Sequence, residues 1–168
     1  MENKQLLKNL ILIAIGVASR LIPHPANFTA ITGIAIYSGN FFIPLSSMLI
    51  SDFLIGFDSL QMRTFVYGSI FLSVVIGKIA RKNPTFTNIA KASFAGSVLF
   101  FIITNFAVWE FGNFYSKDLT GLLTSYTLAL PFFKNAILGD FFYTGILFGA
   151  QKFAFFNIFH LSALKRKV

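Results

Sequence analysis

The residues able to do chemistry in this sequence are few and clustered. The segment Arg20-Leu21-Ile22-Pro23-His24-Pro25-Ala26-Asn27-Phe28-Thr29 gathers a guanidinium, an imidazole, an amide and a hydroxyl. Two prolines separated by one residue stiffen the backbone and keep it extended, which holds His24, Asn27 and Thr29 in defined directions. Such a segment builds a lid or a pocket wall. Equally, it serves as a connection whose polar groups cap the next helix, with Thr29 at its N-terminus.

Four groups, Arg20 again among them, matter because ionisable side chains in apolar surroundings call for a partner or a cavity. They are Arg20, Asp52, Glu110 and Asp140. Arg20 paired with Asp52 or Asp140 locks helices together; alternatively these groups form the polar floor of a site. Asn105 and Trp109 are four apart and share a helix face, as do Asn135 with Gly139 and Asp140 with Tyr143. An amide beside an indole, opposite an acid beside a phenol, is the mixture of flat apolar walls and directional polar groups that small-molecule pockets use. Trp109 also suits a simple interfacial anchor. The sequence holds no metal-spaced His/Cys/Glu cluster, no glycine-rich phosphate loop, no Ser-His-Asp set and no ATP-binding motif.

The elements that must position these groups read as helices. Of 168 residues, 55% are hydrophobic, 17% aromatic and only 12% charged, and the 23 Phe are too many for the one core that so short a chain encloses. This composition points away from a soluble domain and toward an all-α integral membrane bundle, a single transmembrane domain over residues 1–168 in the cell membrane. Continuous apolar runs predict spans at Leu6–Ile22, Ile31–Phe42, Leu45–Phe57, Met62–Ala80, Ile89–Trp109 and Pro131–Phe155. The second and third are short, joined at Gly39-Asn40 and Pro44, and a four-span reading merges them. Between the last two spans, Leu119–Leu130 is expected to form a helix lying in the interface or dipping into it.

The net charge of +8 reports topology rather than an affinity for nucleic acid. With the N-terminus cytoplasmic, only Arg20, Arg63, Lys117 and Lys134 of the 14 Lys and Arg fall outside, so both termini are expected in the cytoplasm. The absence of cysteine excludes disulfides and thiol chemistry.

With its spans and its Ala14-xxx-Ala18 pair on the first helix, the chain resembles the substrate-binding S components of energy-coupling factor vitamin transporters. In the Arg20–Thr29 segment, Ser51-Asp52 and Leu138-Gly139-Asp140 it resembles more specifically a group of uncharacterised bacterial membrane proteins of that fold. The resemblance implies six transmembrane helices, and Ala14 and Ala18 as the contact with a transmembrane coupling subunit that works with ATPases. It implies a ligand near the extracellular face under the first loop, drawing on His24, Asn27, Thr29, Asn105, Trp109, Asn135, Asp140 and Tyr143. No cofactor is expected. The leading reading is a binder for a small vitamin-like molecule. A structural or assembly subunit is the runner-up, and intramembrane acid/base catalysis by Asp52, Asp140 and His24 a third reading without a nucleophile to accompany it.

Overall fold

The computed structural model describes residues 2–56 and 59–165, with side chains through residue 153. The expected third-span end at Phe57 and the basic tail Arg166-Lys167 lie outside the described residues. Every regular element described is a helix: α1 (Glu2–Leu21), α2 (Ile31–Ser38), α3 (Phe42–Ile55), α4 (Leu60–Ala80), α5 (Phe86–Phe111) and α6 (Leu119–Lys165).

Chain direction alternates from helix to helix, as side-chain contacts reveal. Ala30 N–H donates to Ser19 Oγ (3.0 Å) while the Lys8 ammonium sits 4.7 Å from the Tyr37 ring centre, so α1 and α2 are antiparallel. Arg20 meets Ser51 and Ile13 meets Ser47, so α1 and α3 run parallel. Phe65 packs on Phe106 and Phe111, and Phe101 on Phe133, which makes α4 antiparallel to α5 and α5 antiparallel to α6.

The short α2 is the axis of the bundle. Its sequence, ITGIAIYS, is largely apolar, with Thr32 the polar group among the residues from Ile31 to Ile36, and every residue from Ile31 to Tyr37 is buried. Its neighbours approach through glycines. A Cβ on Gly77 of α4 would collide with the Ile36 backbone, and one on Gly96 of α5 would meet Thr32 at 2.8 Å. At the far end, Arg81 donates to the C=O groups of Tyr37 (2.9 Å) and Ser38 (2.8 Å), placing a cation where the last carbonyls of α2 lack partners.

Local chemistry moves several expected boundaries. α2 ends at Ser38 rather than Phe42 because Gly39 turns left-handed (φ 56°) and the Asn40 side chain accepts the Phe42 N–H (3.0 Å). α3 therefore starts at Phe42, three residues before the expected Leu45, and Pro44 lies inside its first turn, where an N–H would have no intrahelical acceptor. Thr29 does not cap α2. Ala30 precedes that helix without a side-chain cap, and its N–H goes to Ser19 of α1.

The largest correction concerns Leu119–Leu130 and Pro131–Phe155, expected as an interfacial helix followed by a separate span. They form one helix of 47 residues, with Pro131 in its interior. Pro131 removes one N–H donor, yet contacts on both sides of it hold the helix against α5. Tyr126 Oη donates to Ile102 O (2.6 Å), and the Phe133 and Phe101 rings stack at 4.4 Å. The helix is started by Asp118, whose carboxylate accepts the Gly121 N–H (2.7 Å) and the Ser116 hydroxyl (2.9 Å). Those bonds hold its carboxyl below the usual carboxylate range.

Among the described residues, α4 and α5 are the helices long and apolar enough to cross a membrane. α2 and α3, with 8 and 14 residues, reach only about 12 and 21 Å, short of the roughly 30 Å hydrocarbon core. The outer surface is strongly apolar: Leu6, Phe53, Phe71, Ile79, Phe86 and Phe142 are all exposed.

Candidate functional site

Two buried acids organise the interior, each tying three helices. Asp52 of α3 receives Arg20 Nη1 of α1 on Oδ1 (2.6 Å) and the Tyr67 hydroxyl of α4 on Oδ2 (2.5 Å). Arg20 also donates to Ser51 Oγ (2.7 Å) and Met48 O (3.3 Å), so the guanidinium is held on several acceptors at once. Asp140 of α6 accepts the Ser97 hydroxyl of α5 on Oδ2 (2.6 Å), and Thr32 of α2 faces the same carboxylate. The two acids differ in one respect. Asp52 is neutralised by a cation, whereas Asp140, only 4% exposed, has neutral hydroxyls around it.

Between the two knots lies a cavity of about 270 Å³, near the lower end of the range for ligand pockets. Arg20, His24, Asn27, Thr29, Thr32 and Asp140 supply its polar groups, and Ile31, Met48, Ile55, Val66, Ile70, Phe100 and Ala136 its apolar walls. A second cavity, of about 410 Å³, adjoins it across Arg20, Met48, Ile55 and Val66, and adds Asp52, Arg63 and Tyr67.

The loop from Ile22 to Ala30 roofs the first cavity, and one aromatic residue fixes it there. Phe28 packs on Phe142 and Tyr143 with ring centres 5.7 and 5.8 Å away, and its Cα lies where a Cβ on Gly139 would approach to 3.0 Å. The lack of a side chain at Gly139 lets the loop settle onto α6. Within the loop, Phe28 N–H donates to Pro25 O (2.9 Å), and Asn27 adopts a left-handed φ of 66°, which Asn tolerates better than most residues. His24 Nδ1 lies 2.8 Å from Pro25 O.

Of the residues expected at a site, His24, Asn27, Thr29 and Asp140 line the cavity together with Arg20. Asn105, Trp109, Asn135 and Tyr143 do not. Asn105 Nδ2 donates to Phe101 O of its own helix (2.8 Å). Trp109 Nε1 donates to Ser116 O (2.9 Å), and Lys117 closes over the same helix end, donating to the carbonyls of Trp109, Glu110 and Gly112. Asn135 is half-buried one turn before Gly139, and Tyr143 serves as a packing surface for Phe28. On α1, Ala14 is exposed and Ala18 half-buried, because the helix buries Leu12, Gly16 and Ser19 instead.

Thr32, Ser97, Phe100 and Ala136 are site residues that sequence reasoning missed. A weak signal for Ser97 was its spacing of four from Ser93, which puts two hydroxyls on one face of α5. Serines are common on membrane helices, so the spacing alone selects nothing. Among the described residues, no group of three His, Cys, Asp or Glu is arranged to hold a metal ion.

These features define a class: an all-helical bundle around a central short helix, with a small, part-polar cavity roofed by a proline-stiffened loop. Over residues 1–161 the chain matches the DUF6580 family, a family of unknown function, and it belongs to that family. No curated protein and no solved structure matches the chain.

Proposed function

We propose that this protein is a multi-pass subunit of the cell membrane that binds a small vitamin-like molecule from outside and passes it inward with a partner, in the manner of the S components it resembles. The observation that carries the reading is the cavity beneath the Ile22–Ala30 loop, where directional polar groups converge in an otherwise apolar bundle. The exposed apolar outer faces suit a lipid surrounding, with the short α2 enclosed by a bundle that alternates direction. Lys78, Arg81 and Lys82 lie at the end of α4 opposite the cavity roof, so the positive-inside rule puts the cavity mouth outside and both termini in the cytoplasm. The role is binding rather than catalysis, and no nucleic acid takes part. A purely structural role draws on the two acid-centred knots, but it gives no account of the cavity between them.

The test is a thermal-shift screen of the purified protein against vitamins and their precursors, run beside Ala136→Leu, which adds a side chain to the cavity wall. A selective rise in midpoint that Ala136→Leu abolishes is the expected result. No rise with any compound would overturn the reading.

The partner half of the reading has its own test. Ala14 stands on the exposed face of α1 with Ala18 beside it, and small side chains permit close approach of another helix. Replacing both with Leu is expected to abolish uptake in cells while leaving ligand-induced stabilisation of the purified protein intact. Normal uptake in that variant would remove α1 from the coupling surface.

A further inference from the structure

We infer that the ligand of this cavity carries a positively charged nitrogen, a protonated amine or an N-protonated heterocycle, held by Asp140; the inference rests on reading the cavity as a substrate site. The argument is one of charge balance. Arg20 is the cation in the cavity wall, and it is committed to Asp52 at 2.6 Å. The second Asp52 oxygen is engaged by Tyr67 at 2.5 Å, so this pair has no need of a ligand charge. Asp140 is the opposite case. It lines the cavity and is 4% exposed, and its hydrogen-bond partners, the hydroxyls of Ser97 and Thr32, carry no charge.

Burial among neutral hydroxyls disfavours the ionised form of a carboxyl group, and a ligand cation entering the cavity supplies the counter-charge that the protein lacks there. Ser97 takes Oδ2 at 2.6 Å and orients the carboxylate while leaving acceptor capacity on Oδ1. Ile70, Phe100 and Ala136 provide the flat apolar contact for the body of the molecule. A carboxylate or phosphate ligand meets the reverse situation in this cavity. The guanidinium in its wall is already paired, His24 stands at the roof beside the Pro25 carbonyl, and Asp140 offers an anion no counter-charge.

The test uses three molecules of one shape: 2-phenylethylamine, 2-phenylethanol and phenylacetate. Each is titrated into the purified protein at neutral pH and followed by thermal shift and calorimetry. The amine is expected to stabilise the protein and to bind at least tenfold more tightly than the alcohol, with no response to the acid, and Asp140→Asn is expected to weaken the amine by roughly tenfold or more. If Asp140→Asn does not fold, the ratio of amine to alcohol in the unaltered protein decides alone. Equal or tighter binding of the alcohol or the acid overturns the cationic assignment and leaves the site in place. No response to the three probes, when the vitamin screen does yield a ligand, also overturns the assignment alone. Silence in both experiments overturns the reading of the cavity as a binding site.

Discussion

Replacing Arg20 with Ala is expected to lower the thermal midpoint more than any other single change of a polar residue in this protein. The guanidinium donates to Asp52, Ser51 and Met48, and the side chains of Arg20 and Asp52 are 22% and 10% exposed. Removing one partner of a buried pair strands the other charge, at a cost of about 3–5 kcal/mol. For a chain of this length that is a fall of roughly 10 °C. The double replacement Arg20→Met with Asp52→Leu removes both charges and is expected to recover most of the loss, since apolar groups of similar volume replace a buried ion pair with little penalty. Thermal unfolding of the two variants in detergent checks this. A double variant no more stable than Arg20→Ala would show that the guanidinium acts through its bonds to Ser51 and Met48 rather than through the charge of Asp52.

The second large effect comes from a glycine. A Cβ at Gly77 would run into the Cα, C and O atoms of Ile36, which belong to the fully buried α2 and have nowhere to move. Gly77→Ala is therefore expected to destabilise by about 2 kcal/mol or more, after allowing for the roughly 1 kcal/mol that Ala gains over Gly as a helix former. Gly68 lies on the same helix and Gly145 on α6, and a Cβ at either meets nothing within 4 Å. Gly68→Ala and Gly145→Ala show the helix propensity alone and are expected to be neutral or stabilising by up to about 1 kcal/mol. Thermal midpoints of the three variants separate packing from propensity. Equal behaviour of Gly77→Ala and Gly68→Ala would mean that α2 and α4 are further apart than the contact requires.

The second prediction depends on α2, an eight-residue helix whose importance the sequence hides. The 31 residues from Leu21 to Ser51, without a Lys, Arg, Asp or Glu, announce an apolar region but carry no mark of which part lies at the centre. Hydropathy is satisfied as well by lipid as by protein, so an apolar run does not distinguish an outer helix from an axial one. What distinguishes α2 is the set of glycines on other helices, Gly16, Gly77 and Gly96, that face it or its neighbours. Those lie far apart in the chain, and their convergence is a property of the packing.

The site divides in the same way. Arg20, His24, Asn27 and Thr29 were legible because they sit in one short segment whose prolines restrict it, so sequence proximity and spatial proximity coincide there. Asp140 was legible because an acid in an apolar helix needs a reason. Asn105, Trp109 and Tyr143 shared faces with plausible partners, but a shared face is a statement about one helix. Rotation of that helix decides whether the face meets the cavity, and here it directs Asn105 to its own backbone, Trp109 to the Ser116 turn and Tyr143 under Phe28.

By itself, then, the sequence determined that the chain is helical, roughly where its helices run, and that it holds a proline-stiffened segment with an arginine and a few acids in apolar helices, because composition, period and breakers are local quantities. The tertiary structure alone decided that Arg20 pairs with Asp52 and leaves Asp140 to the hydroxyls of Ser97 and Thr32, and that Pro131 sits inside one continuous helix. Both outcomes turn on contacts between distant segments. The energy of an ion pair, or of a helix carried through a proline, is set by which neighbours are within a few ångströms, and a sequence does not record that distance.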